Sequence, residues 1–124
     1  LGVGTTHAIP NWFHEGVARN YEFGGLGKSF DRSWNRLQVW FARRDLLSAN
    51  AFCSYNPRVR QGNVDEIRLF YDTSMEFVAH ITRTKRATEI AFATKESMDF
   101  EGTLFDTMSL GCEELYSAWK NDLL

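Results

Sequence analysis

Apolar residues recur at helical intervals through most of the chain, and nowhere at the two-residue alternation of a half-buried strand. The clearest pattern begins at Asn63. Asn63-Val64-Asp65-Glu66 places a capping residue three positions before a glutamate, the arrangement in which side chains and backbone cap each other at a helix start. Ile67, Phe70, Tyr71, Ser74, Phe77, Val78 and Ile81 follow at steps of three and four, which predicts a long helix with one buried face. Thr84 to Glu96 reads as a further helix carrying Ile90 and Phe92. A short helix is expected from Asp99 to Met108. A last one, from Cys112 to Leu123, spaces Leu115, Trp119 and Leu123 by four.

The first half is patterned less regularly. Residues 1–10 (LGVGTTHAIP) read as a loop. Asn11 is then the expected N-cap of a helix whose apolar face is Trp12, Phe13, Val17 and Tyr21. Phe23-Gly24-Gly25 ends it, and Gly24 to Gly27 forms a turn-rich joint. Ser33 to Ala51, with Trp34, Leu37, Phe41, Leu46 and Leu47, is one helix or two short ones. Residues 53–62 form a loop containing the turn signal Asn56-Pro57. No repeats occur. The expected fold is an all-α bundle of about five or six helices with short connections.

At 124 residues, 44% hydrophobic and 24% charged, the composition is that of one ordinary globular domain with a single core. A net charge of −2 with no basic stripe argues against nucleic acid as a partner. No apolar run approaches the ~20 residues of a membrane span, and no signal-peptide core is visible. Cys53 and Cys112 are too few for a zinc ribbon or a disulfide framework. One bridge and two free thiols both remain open.

His14-Glu15 invites comparison with His-Glu-x-x-His, which sets two imidazoles on one helical face with a general base between them. The spacing fails, because Ala18 stands where the second histidine belongs. Gly24-Gly25-Leu26-Gly27-Lys28-Ser29 fails as a phosphate loop in the same way, since Glu22 occupies the position of its first glycine. Arg83, Lys85 and Arg86 suit the last turn of a helix, where cations complement the dipole. His7, His14 and His80 read as ordinary surface or core histidines.

The residues around Glu15 carry a longer pattern. Ala8 to Glu22 resembles the third-ligand segment of the peptidase MA-like gluzincins, a family of zinc metallopeptidases. The resemblance implies that Glu15 is the third zinc ligand, completing a His/His/Glu set, with Pro10, Trp12, Gly16 and Ala18 as its scaffold. Such a set leaves a fourth zinc position open for water, as catalysis requires. Small residues at 16 and 18 would let a neighbouring helix approach closely. Tyr71-Asp72-Thr73-Ser74 is similar to the start of the family's long helix, which implies a catalytic phenol at Tyr71 donating a hydrogen bond to the developing oxyanion. Asp99 to Phe105 and Glu113 to Trp119 resemble the family's closing helices, with Leu115 and Trp119 as core anchors; the glycine of the intervening turn is displaced to Gly111.

The resemblance runs from about Ala8 to Leu124 and makes residues 1–124 the C-terminal helical part of a larger metallopeptidase domain. Leu1 stands where a translation start would place Met, and the first methionine is Met75. The His-Glu-x-x-His helix is accordingly expected upstream. The complete enzyme would take peptides or proteins as substrates, while this chain alone would be inactive and bind zinc weakly. Family members are often exported or membrane-tethered. Apolar surface left uncovered by the upstream part would promote self-association. The competing reading is a non-enzymatic helical interaction module that keeps the scaffold without a metal site.

Overall fold

The computed structural model describes residues 9–28, 31–42, 46–60, 64–84, 89 and 99–122. These form α1 (Asn11–Glu22), α2 (Asp31–Ala42), α3 (Ala49–Cys53), a single 3-10 turn (Pro57–Arg60), α4 (Val64–Thr84), α5 (Phe100–Met108) and α6 (Cys112–Asp122). No strand occurs among the described residues, so the all-α expectation holds. Of the expected helix from Thr84 to Glu96 only Thr84, which ends α4, and Glu89 are among them, and the cap at Asn63 lies outside them.

The central element is α4. Sequence spacing predicts one buried face, yet residues 72–79 are buried all round, including Asp72, Thr73, Ser74 and Glu76. A helix surrounded on every side is a core helix, whose polar residues need partners inside the protein; Ser74 Oγ has none among the described residues. Thr73 Oγ1 donates to the Leu69 carbonyl at 2.6 Å. Asp72 accepts two hydrogen bonds from Arg36 of α2, at 2.7 and 2.8 Å. Helices α1, α2 and α6 pack on α4, while α3 and α5 pack on α6.

Aromatic side chains fill the space between these elements. Trp12 of α1 meets Phe77 of α4 at 5.1 Å and Phe100 of α5 at 5.7 Å between ring centroids. Phe52 of α3 stacks on Tyr116 of α6 at 4.6 Å, and Tyr55 stacks on Phe70 at 4.3 Å. Such pairs add about 0.5–1.5 kcal/mol each beyond the area they bury. Cys53, the last residue of α3, is disulfide-bonded to Cys112, the first of α6. Of the two states open from the sequence, the bridge is the one formed.

Several local expectations are corrected. Pro10, not Asn11, holds the N-cap position of α1, and its carbonyl accepts from the amides of Phe13 and His14. Asn11 donates its side-chain amide to the Tyr55 carbonyl instead. The buried residues of α1 are Trp12, Phe13, Gly16 and Asn20, whereas Tyr21 is 55% exposed. The buried face of α6 is Cys112, Tyr116 and Trp119; Leu115 is half-buried at its margin. The 33–51 stretch is two helices. In the turn before α6, Ser109 itself adopts the left-handed conformation (φ 67°), so no glycine is needed at Ser109. Among the described residues the exposed large apolar side chains, Tyr21, Val39, Val59, Val64 and Phe105, stand on five different elements.

Candidate functional site

Glu15 lies in the second turn of α1, half-buried. Its place is set by its neighbours. Trp12 anchors the preceding turn in the aromatic core, and Gly16 lies flat against α4. A Cβ on Gly16 would fall 2.5 Å from the Ser74 carbonyl oxygen and 2.9 Å from Val78 Cβ, closer than real contacts allow. The expected close helix approach is therefore realised at position 16, with α4 as the partner. Ala18 takes no part, since it is exposed.

One turn beyond Glu15, on the same helical face, stands Arg19. Its guanidinium carbon lies 5.4 Å from the centroid of the Tyr71 ring, a cation–π contact from α1 to α4. Tyr71 is half-buried, its ring tilted against Phe70 at 5.7 Å. Tyr71 thus rests beneath Arg19, which follows Glu15 by one helical turn; Glu15 itself is not part of that contact. Neither the Glu15 carboxylate nor the Tyr71 hydroxyl makes a hydrogen bond or ion pair among the described residues.

A polar knot fixes the seam from below. Asn20, fully buried, donates its amide to the carbonyls of Gly16 and Met75, each at 3.0 Å, and accepts from the Gly27 amide at 3.0 Å. One side chain ties α1, α4 and the glycine joint together. Gly24, Gly25 and Gly27 all have positive φ, which lets that joint fold back onto Asn20. Asn20, Arg19 and Arg36 were not singled out in the sequence. Arg19 could have been found from its four-residue offset to Glu15; no spacing relates Arg36 to Asp72, 36 residues away.

The histidines are placed apart from this seam. His14 is exposed on α1, and His7 lies outside the described residues. His80 is half-buried with its ring 6.3 Å from that of Trp119 on α6. Burial, reinforced by nearby Arg83, pulls its pKa below the ordinary value, while Asp122 acts in the opposite direction. No group of three or more His, Cys, Asp and Glu able to hold a metal ion occurs among the described residues. Glu15 by itself offers one hard-oxygen donor of a kind that zinc accepts.

A separate open cavity of about 540 Å³ lies over the disulfide, with Glu101, Glu113 and Glu114 in its walls. Neither Glu15 nor Tyr71 lines it. No helix of the described residues is long and apolar enough to cross a membrane. Compared with protein-family models, curated proteins and solved structures, the chain matches none.

Proposed function

We propose that this chain is the C-terminal helical part of a gluzincin-type zinc metallopeptidase, with Glu15 as the third metal ligand. The observation that supports this reading most is the α1–α4 seam. Around Glu15, Trp12 and Gly16 lock α1 onto α4, and Arg19 carries the contact to Tyr71. Two imidazoles from an upstream His-Glu-x-x-His helix would complete the ligand set. Zinc so bound would supply Lewis acidity and a nucleophilic water at neutral pH.

The chain's own residues have simpler tasks. Glu15 offers a carboxylate on a rigid helix, so a metal ligand there needs little reordering. Tyr71 offers a phenol O–H, free among the described residues, to the carbonyl oxygen of a peptide on which negative charge develops. Arg19, lying over the Tyr71 ring, limits the ring's motion and is a positioning residue. Asn20 holds the whole seam in register.

The test uses the longer protein encoded in frame with this segment. Its upstream sequence should contain His-Glu-x-x-His, and the purified protein should bind one zinc. Glu15→Gln should weaken zinc binding at least tenfold. Tyr71→Phe should lower kcat while leaving zinc content unchanged. An upstream segment without the motif, or full zinc affinity in Glu15→Gln, overturns the reading and leaves the helical interaction module.

A further inference from the structure

The Cys53–Cys112 bond bears on where the chain matures. It joins residues 59 apart in sequence, with a Cα–Cα separation of 6.1 Å, inside the range that a disulfide spans without moving the backbone. That fit is prepared by neighbouring contacts. Phe52 stacks on Tyr116 beside the bond, and the Tyr116 hydroxyl donates to the Leu47 carbonyl at 2.7 Å. The Cys112 amide donates to Glu101 Oε1 at 2.6 Å, which fixes the first turn of α6. Helix α3 has only five residues, far below the length at which a helix holds by itself. The bond fastens its end to α6.

Two further features mark the bond as structural. The chain's two cysteines are both used in it, so this chain holds no thiol to exchange with it. Cys112 is 2% exposed, and the cavity that opens on the bond carries Glu101, Glu113 and Glu114. Reduction begins with attack by a thiolate. A negatively charged wall repels that anion.

From these observations we infer that the chain matures in an oxidising compartment, where the Cys53–Cys112 bond is installed as a permanent staple between α3 and α6. Persistent structural disulfides belong to such compartments and are rare where thiol buffers are reducing. In forming the bond the two thiols lose two protons and two electrons. The electrons pass to a thiol–disulfide oxidant, whose own disulfide becomes two thiols. The inference does not rest on the metallopeptidase reading, since it uses neither Glu15 nor Tyr71.

The experiment takes the protein from the cells that make it, denatures it without reductant in excess N-ethylmaleimide, and measures peptide masses. The expected result is a Cys53–Cys112 linked peptide and no alkylated cysteine. Alkylation of both cysteines would overturn the inference. A second measurement keeps the structural role testable. Reduction should lower the folded-to-unfolded ratio by about a thousandfold, the chain-entropy value for a loop of ~60 residues. Complete unfolding on reduction counts on the same side, whereas an unchanged unfolding midpoint refutes the staple.

Discussion

Gly16 lies directly against the main chain of Ser74, with a hydrogen where any other residue would place a Cβ 2.5 Å from the Ser74 carbonyl oxygen. The obstructing atoms are a backbone oxygen and the branch point of Val78, neither of which can swing aside. Alanine is intrinsically better than glycine inside a helix by about 1 kcal/mol. Here the steric term should win, because overpacking a close-packed seam costs about 1–3 kcal/mol. Gly16→Ala is therefore expected to lower stability in urea unfolding. An unchanged or raised midpoint would show that α1 and α4 can part without penalty.

Asn20 is the second point at which the seam can be tested. Its amide nitrogen donates to two carbonyls and its oxygen accepts one amide. Asn20→Asp keeps the shape but turns the donor into an anion facing two carbonyl oxygens inside the core. Asn20→Ala removes the group and all three of its side-chain hydrogen bonds, including the one that the Gly27 amide donates to it. Both should destabilise, Ala by about 1–3 kcal/mol and Asp by more, because a buried charge without a counter-ion is costlier than a missing hydrogen bond. Equal effects at neutral pH would mean that the aspartate is neutral or solvated there.

Arg36 and Asp72 test how α2 is held. Asp72 is 1% exposed while the Arg36 side chain is 38% exposed, so the pair is buried at one end only. Removing Arg36 strands the carboxylate in the core; removing Asp72 leaves a guanidinium that water can reach. Hydrogen bonding to Asp72 also raises the Arg36 pKa, so the cation persists throughout the working pH range. Arg36→Met should cost about 1.5–3 kcal/mol, the usual value of a hydrogen bond to a charged group. Asp72→Asn should cost less. The reverse order in denaturant unfolding would show that the arginine, not the aspartate, suffers from losing its partner.

Helical periodicity was enough to locate α1, α4, α5 and α6, because each has large apolar residues at three- and four-residue steps. It failed where burial is polar. Asp72, Thr73 and Glu76 look solvated in sequence yet are buried; Arg36 of α2 pairs Asp72 and the Leu69 carbonyl pairs Thr73, while Ser74 Oγ is buried with no hydrogen-bond partner among the described residues. On α6, Leu115, Trp119 and Leu123 share a spacing that Cys112, Tyr116 and Trp119 satisfy equally well; the disulfide and the Phe52 stack select the second set. For the site, Glu15 and Tyr71 stood out singly, 56 residues apart. The contact of Arg19 with Tyr71 is a tertiary fact that no local pattern encodes.

Tyr116 and His80 bound the pH range of greatest stability from opposite sides. Burial raises the Tyr116 pKa well above its ordinary value, so the unfolded chain ionises first as pH climbs past about 10. The folded state then holds a proton that the unfolded state has lost, and stability falls with rising pH. Burial and Arg83 depress the His80 pKa. As pH falls through about 6.5, the unfolded chain takes up a proton that the folded protein resists, so this contribution is full above that value and lost below it. Unfolding midpoints should therefore be flat between these limits and decline beyond both. Tyr116→Phe should flatten the alkaline limb, at a cost of about 1 kcal/mol at neutral pH for the lost bond to the Leu47 carbonyl. His80→Asn should flatten the decline between pH 7 and 5 and leave the alkaline limb intact. If both limbs survive both substitutions, other groups set the window and these two assignments fail.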